Sequence, residues 1–504
     1  MSYSHYDRLT ALDASFLSLE DHNVHMHVGS VGLFDATPLT GPNGGLDMER
    51  VMGASDAALA RHPRFRQKLA WVPLTGAPVW VDDERFNLNY HVRHTALPPP
   101  GDLRQLKRLA GRIMSQQLDR GKPLWELWFV EGVEGDRFAV ITKLHHCMID
   151  GISSVDLMSA MMGPDPDHVA VPSGKWVPRP APAPGRLLVD EVLRRAGLPI
   201  TVAGGARRLL TEPRRAIRGL RESVEGLVEA IGAGLRPASP SPINCDIGPH
   251  RRFDWVRLDL DGVKEIKNRL GGTLNDVVLA IVAGAMRRFL RHRGEQVEDL
   301  DFRAMVPVNV RAAAEHDRLG NRVSFMLAPL PLGERGPAER LERVAETMQR
   351  LKRSKQRLGA EVLEEISDRV SSSLFIQFAR LGARSLSYNM VVTNVPGPQT
   401  PVYLQGATMR EIYPLVPLFT NQALGIALFS YHGGLFWGFN ADWDAVPDLH
   451  DLVGAVEAEF SALRQLAAGA PVPIETAGSE RRRTARRGRP KAAARRVRRA
   501  VTRR

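Results

Sequence analysis

The run KLHHCMIDG, residues 143–151, sets two histidines side by side and places an Asp-Gly pair four residues after the second. Imidazole is the side chain best matched to accepting a proton near neutral pH, so a histidine at a strand end is a candidate general base. If residues 138–146 form a regular strand, His146 shares a face with Phe138, Val140, Thr142 and Leu144, while His145 shares the other with Ala139, Ile141 and Lys143. The two rings cannot then do the same job. Burial on the more apolar side disfavours the imidazolium and keeps His146 neutral, which makes it the candidate base; His145 is read as structural. Asp150 and Gly151 form a tight turn, with the Asp150 carboxylate holding the loop by pairing with an arginine elsewhere. Ser153 and Asp156 carry the spacing of a helix start.

Around this turn, hydrophobic periodicity predicts strands at 27–34 and 138–144 and a helix at 47–62. Residues 1–163 therefore read as one mixed α/β or α+β unit. Seven prolines in 163–185 mark an extended surface linker. An Arg-rich helical stretch follows at 186–235, which is either a solvated connector or a segment lying on a membrane surface. Together, 164–249 form the linker and connector. A second mixed unit spans 250–470, with a strand at 253–260, a helix from Asn275 to Arg291, a strand at 302–310, and a hairpin over 423–440 turning at Gly433-Gly434. Two such units joined by a crossover place a site in the cleft between them.

Composition narrows the classes further. The 504 residues are 43% apolar, enough for a large core. Two cysteines, Cys147 and Cys245, provide neither a disulfide framework nor a metal-binding CxxC pair, so no metal is expected and a reducing, cytoplasmic setting fits. The first residues lack the basic and apolar regions of a secretory signal, and no run of 18 apolar residues could span a bilayer. Residues 481–504 hold 13 of the 68 Lys and Arg, leaving 55 against 56 acidic residues in the body. The net charge of +12 is thus a property of the tail. The basic segment 477–504 is expected to be disordered and to favour an anionic membrane or lipid-inclusion surface. Within it, RGRP (487–490) resembles an AT-hook core, but nucleic acid is not the expected partner.

HHCMIDG resembles the HHxxxDG motif of the CoA-dependent acyltransferase superfamily. LDASFL (12–17), MHVG (26–29), LDRGKPLWE (118–126), TLNDVVLA (273–280), VPVNVR (306–311), LGNRVSFM (319–326) and TNVPGP (393–398) resemble, in order and spacing, the wax ester synthase/diacylglycerol acyltransferase family. The resemblance covers nearly everything but the tail. It implies two chloramphenicol-acetyltransferase-like subdomains with a central channel. It also implies acyl-CoA as co-substrate with no permanently bound cofactor, and a diacylglycerol or fatty-alcohol acceptor; which residues hold CoA is left open. His146 and Gly151 occupy motif positions, and Cys147 has no covalent role and is read as packing. Asn275 is a candidate oxyanion donor, the alternative being that it caps its helix. Pro123, Leu124 and Trp125 are read as structural. The activity implied is fatty acyl transfer by a protein peripheral to the inner membrane face or lipid inclusions. The alternatives are a related acyltransferase with another acceptor, or a non-catalytic lipid-surface protein of the same fold.

Overall fold

The computed structural model describes residues 6–148, 160–167, 176–194, 237–309, 323–357 and 387–469. Asp150, Gly151, the helix start at Ser153, most of the Arg-rich connector and the basic tail lie outside these residues.

Two large mixed sheets form the frame. The first has seven strands in the spatial order β5 (Val92–Ala96), β6 (Trp125–Val133), β7 (Arg137–His145), β2 (His27–Asp35), β14 (Ala407–Leu415), β13 (Tyr403–Leu404) and β8 (Met162–Gly163). The second has six: β11 (Val323–Leu330), β10 (Phe302–Asn309), β12 (Met390–Pro396), β15 (Leu424–Tyr431), β16 (Gly434–Asp442) and β9 (Arg251–Asp259). A three-stranded sheet of β1 (Asp7–Arg8), β4 (Pro78–Asp82) and β3 (Gln67–Trp71) flanks the first. The predicted strands at 27–34, 138–144, 253–260 and 302–310 and the helices at 47–62 and 275–291 all form, shifted at their ends by at most a few residues.

The 250–470 stretch does not build one sheet by itself. Ala407–Leu415 leaves the second sheet and pairs antiparallel with β2, Tyr413 opposite Val31 and Leu415 opposite Gly29. Periodicity cannot reveal this, because it reports which face of a strand is apolar and not which neighbour it pairs with. At the crossing, Tyr413 stacks on Trp255 with ring centroids 4.7 Å apart. A Cβ at Gly438 would come within 1.8 Å of the Pro414 carbonyl, so only glycine lets β16 lie this close to β14. One apolar core runs continuously through both sheets. The hairpin turn also sits one residue earlier than expected. Its central residues are His432 (φ 42°) and Gly433 (φ 76°), both in the left-handed region that a two-residue hairpin turn requires, and Gly434 already begins β16.

The proline-rich linker has no helix or strand over 176–183 and is strapped to the first unit. Arg179 donates to Asp82 through its backbone N–H (2.9 Å), Nε (3.1 Å) and Nη2 (2.9 Å). Burial pushes the Asp82 carboxyl up, but Arg179 and Gln67 outweigh it and hold it near 2 instead of 3.8. A carboxyl depressed by folding stabilises the fold above its unfolded pKa and loses that contribution as pH falls through its folded one. Arg179→Ala should therefore cost about 1 kcal/mol at pH 7, a modest value because the arginine is half exposed. The difference from wild type should shrink below pH 3.8 and vanish only as pH falls through about 2. Urea titrations at both pH values check this, and equal midpoints at pH 7 would rule out the strap.

Candidate active site

β7 is an interior strand of its sheet, between β6 and β2, and is buried on both faces from Phe138 to His145. The contrast between an apolar and a polar face therefore does not single out His146. The strand stops one residue short of it, and His146–Met148 form a 3-10 turn. The His146 ring is covered by Phe16, from the helix Ala11–Leu19, at a centroid distance of 3.9 Å. LDASFL thus supplies the lid under which the candidate base lies.

Backbone hydrogen bonds fix the turn from two sides. His146 N–H donates to the Met26 carbonyl at 2.7 Å, and His145 N–H to the Leu124 carbonyl at 3.0 Å. A Cβ on Gly29, in the same MHVG run as Met26, would lie 2.0 Å from the Thr142 carbonyl, so glycine permits β2 to close on β7. The Pro123–Trp125 segment is structural, as expected. Leu124 and Trp125 are fully buried, the indole Nε1 donates to the Phe65 carbonyl at 2.7 Å, and His91 stacks on the indole and bonds to the Trp125 carbonyl.

Burial, followed by the charge of His145, lowers the His146 pKa to about 4. The ring is neutral at physiological pH. Its Nδ1 is buried and, among the described residues, finds no partner beyond the residue's own backbone. Cys147 is 1% exposed, and burial raises its thiol well above its ordinary value, which keeps it from being a thiolate nucleophile and agrees with a packing role.

His145 turns away into a polar knot that inspection of the sequence missed. Its Nδ1 accepts the Cys147 N–H at 3.1 Å, which assigns the ring proton to Nε2, and Nε2 faces Glu20 Oε2 at 3.5 Å. Glu20 follows the Ala11–Leu19 helix, and its side chain is 2% exposed. Arg120 donates to its Oε2 through Nε (3.1 Å) and Nη2 (2.7 Å), and His27 Nε2 lies 3.4 Å from Oε1. Burial pushes the Glu20 carboxyl up, but His145 and Arg120 bring it below its ordinary value. Lys143, fully buried, donates from Nζ to the carbonyls of Ile113 and Gln116 at the end of the helix Leu103–Met114, and burial lowers it to about 8. An acid after a short helix carries no sequence mark of burial. A hint was available only in the polar residues that alternate along the ends of β2 and β7.

Asn275 does not cap its helix. Thr273 is the N-cap of Leu274–His292: its Oγ1 accepts the Asp276 N–H at 3.3 Å, and Asp276 Oδ2 accepts the Thr273 N–H at 2.8 Å. Asn275 sits in the first turn, partly buried, with no capping duty.

The architecture defines a class before it defines a family. At 13% identity, the starter condensation domain of rhizomide synthetase shares the fold, with a TM-score of 0.56 over 94% of this chain and 97% of that one. The wax ester synthase/diacylglycerol acyltransferase from Marinobacter aquaeolei VT8 superposes with a TM-score of 0.63 at 27% identity, covering 92% and 100% of the two chains. Residues 9–278 match the family model of the wax ester synthase/diacylglycerol acyltransferase catalytic domain, and 319–464 that of its C-terminal domain. The probable diacyglycerol O-acyltransferase tgs1 of Mycobacterium tuberculosis H37Rv is 32% identical over 454 residues, 90% of this chain and 94% of that protein. A second relative from the same strain, probable diacyglycerol O-acyltransferase tgs2, is 33% identical over 91% of this chain and 99% of its own length. This chain therefore belongs to the wax ester synthase/diacylglycerol acyltransferase family and has its two-sheet acyltransferase fold.

Removing the carboxylate from the knot should leave Arg120 with only the Leu17 carbonyl and take from His145 Nε2 the charge it faces. Glu20→Ala is expected to cost about 2 kcal/mol in chemical denaturation, less than a wholly buried pair because Arg120 is partly exposed. A cost of about 0.5 kcal/mol or less, typical of surface changes, would contradict the knot's structural role.

Proposed function

We propose that this protein moves a fatty acyl group from acyl-CoA to the hydroxyl of a diacylglycerol or a long-chain alcohol, with His146 as general base. The observation that carries this reading is the neutral, Phe16-covered imidazole of His146 on a turn tied by backbone bonds to Met26 and Leu124. With Nδ1 buried, Nε2 is the nitrogen that meets the acceptor. It takes the hydroxyl proton as the oxygen attacks the thioester carbonyl. The carbonyl π electrons move onto oxygen, and the tetrahedral species collapses by breaking the C–S bond. The imidazolium returns the proton to the leaving thiolate, giving free CoA and an ester. A ring with pKa near 4 gives its proton readily to a thiolate, whose ordinary pKa is roughly 8.5. Asn275, on the first turn of its helix, is the donor assigned to the oxyanion, a role worth about 3 kcal/mol in related chemistry. Asp150 and Gly151 are assigned a supporting role and take no part in the proton transfer.

The relatives named for diacylglycerol transfer support the glyceride acceptor, and the family's wax ester members support a long-chain alcohol. Among the described residues no single helix is long and apolar enough to cross a membrane. The 13 basic residues of 481–504 support peripheral contact with anionic lipid on the cytoplasmic face or on lipid inclusions. Deleting 478–504 should then weaken sedimentation with phosphatidylglycerol vesicles, and unchanged sedimentation would remove that role from the tail.

The activity is tested by following CoA release from palmitoyl-CoA with diacylglycerol and hexadecanol offered in parallel. Acceptor-dependent release that falls roughly 100- to 10,000-fold in His146→Ala supports the base. Release that survives the substitution would remove His146 from the chemistry, and release with neither acceptor would point to another acceptor or to a non-catalytic lipid-surface role.

A further inference from the structure

The helix Leu103–Met114 places Arg104, Lys107 and Arg108 on one face, three and four residues apart. That face and the start of β9 enclose a cleft of about 500 Å³, lined also by Arg251, Arg252 and Trp443. Of these cations, Lys107 alone has a carboxylate, Asp254, which it shares with His450. Among the described residues Arg104, Arg108, Arg251 and Arg252 make no ion pair. Arg251 is 3% exposed, and its guanidinium donates only to the carbonyls of Gly248, His250 and Asn23. Arg252 lies 4.0 Å over the Trp443 ring, and its Nε is buried without an acceptor.

The body of the chain balances its charges almost one for one, so four unpaired guanidiniums around one cavity are a local excess. Like charges gathered and partly desolvated oppose folding unless an anion offsets them. Planar guanidinium forks match the oxygens of phosphate esters in particular. A second cleft, of about 630 Å³, is lined by Arg137, Arg257 and Arg410, two of which face carboxylates. Arg410 is met by Asp35 and Arg137 by Glu411, and Arg137 begins β7 whereas His145 ends it. The first cleft adjoins the catalytic turn. Arg251 N–H donates to Ser115 Oγ at 2.8 Å and its guanidinium reaches Asn23, three residues before the Met26 carbonyl that receives the His146 N–H.

We propose that this cleft holds the clustered phosphates at the nucleotide end of the CoA thioester, with Arg104, Arg108 and Arg252 as phosphate ligands above the buried charge of Arg251. The inference rests on the acyl-CoA reading above and adds where the donor's charged end docks. The flexible acyl-bearing arm then extends from the cleft along the 23–26 segment toward His146.

Binding of CoA itself to the full-length protein, measured by titration calorimetry, tests the site without requiring turnover. Arg104 and Arg108 are exposed on a helix surface, so Arg104→Gln combined with Arg108→Gln keeps the fold, which circular dichroism checks. The double variant should bind CoA about ten-fold more weakly or worse, since each charge-assisted bond lost is worth about that factor. Arg410→Gln, at the second cleft, should bind as wild type does. Dephospho-CoA should bind wild type more weakly than CoA, and the double variant should discriminate less between the two. CoA affinity left intact in the double variant would overturn the site while leaving the acyl-CoA reading standing. Loss of adsorption to phosphatidylglycerol vesicles with CoA affinity intact would overturn it in favour of a lipid headgroup. Absence of CoA binding by wild type would overturn the site and the acyl-CoA donor together.

Discussion

One buried carboxylate organises the end of β7, an interior strand of the first sheet. Glu20 lies against His145, His27 and Arg120, and His145 in turn receives the backbone N–H of Cys147 in the turn that carries His146. A carboxylate is costly to bury, and here a single arginine and the polar edge of an imidazole offset that cost. The consequence is directional. His145 is committed to one tautomer and one orientation, so the adjacent ring is free of the knot and faces Phe16. Adjacent histidines thereby have opposite surroundings, one ring held in the knot and the other under Phe16.

The same end of the sheet is where the two halves of the chain meet. Ala407–Leu415 pairs with β2 alongside β7, while its ring contact with Trp255 ties it to the second sheet. Arg251, at the start of that second sheet's edge strand, reaches back to Ser115 and Asn23 of the first unit. The turn that carries His146 and the basic cleft therefore share a frame that neither half builds alone, and this suits the proposed reaction, in which two substrates must meet.

Much of this was legible from local pattern. The strands at 27–34 and 138–144 and the helix at 47–62 were readable because each carries its own apolar period, and the histidine pair because its spacing to Asp-Gly is unusual. The features that were not legible depend on residues far apart in the chain. Glu20 meets Arg120 across a hundred positions, and β14 pairs with β2 across nearly four hundred. Arg104 and Arg252 share a cleft only once the helix lies against β9. The cap at Thr273 is marked locally by Asp276 three residues on. The cover over the His146 ring comes from Phe16 and not from the apolar face of its own strand.

The central claim is that the fold holds His146 neutral, and the pH dependence of kcat/KM for acyl transfer tests it most directly, because that ratio reports ionisations of the free enzyme. A base lowered to about 4 is already deprotonated above that value, so kcat/KM should stay level from pH 8 down to 5 and fall only as pH approaches 4. An acidic limb centred near pH 6.5, the ordinary value for imidazole, would contradict the account.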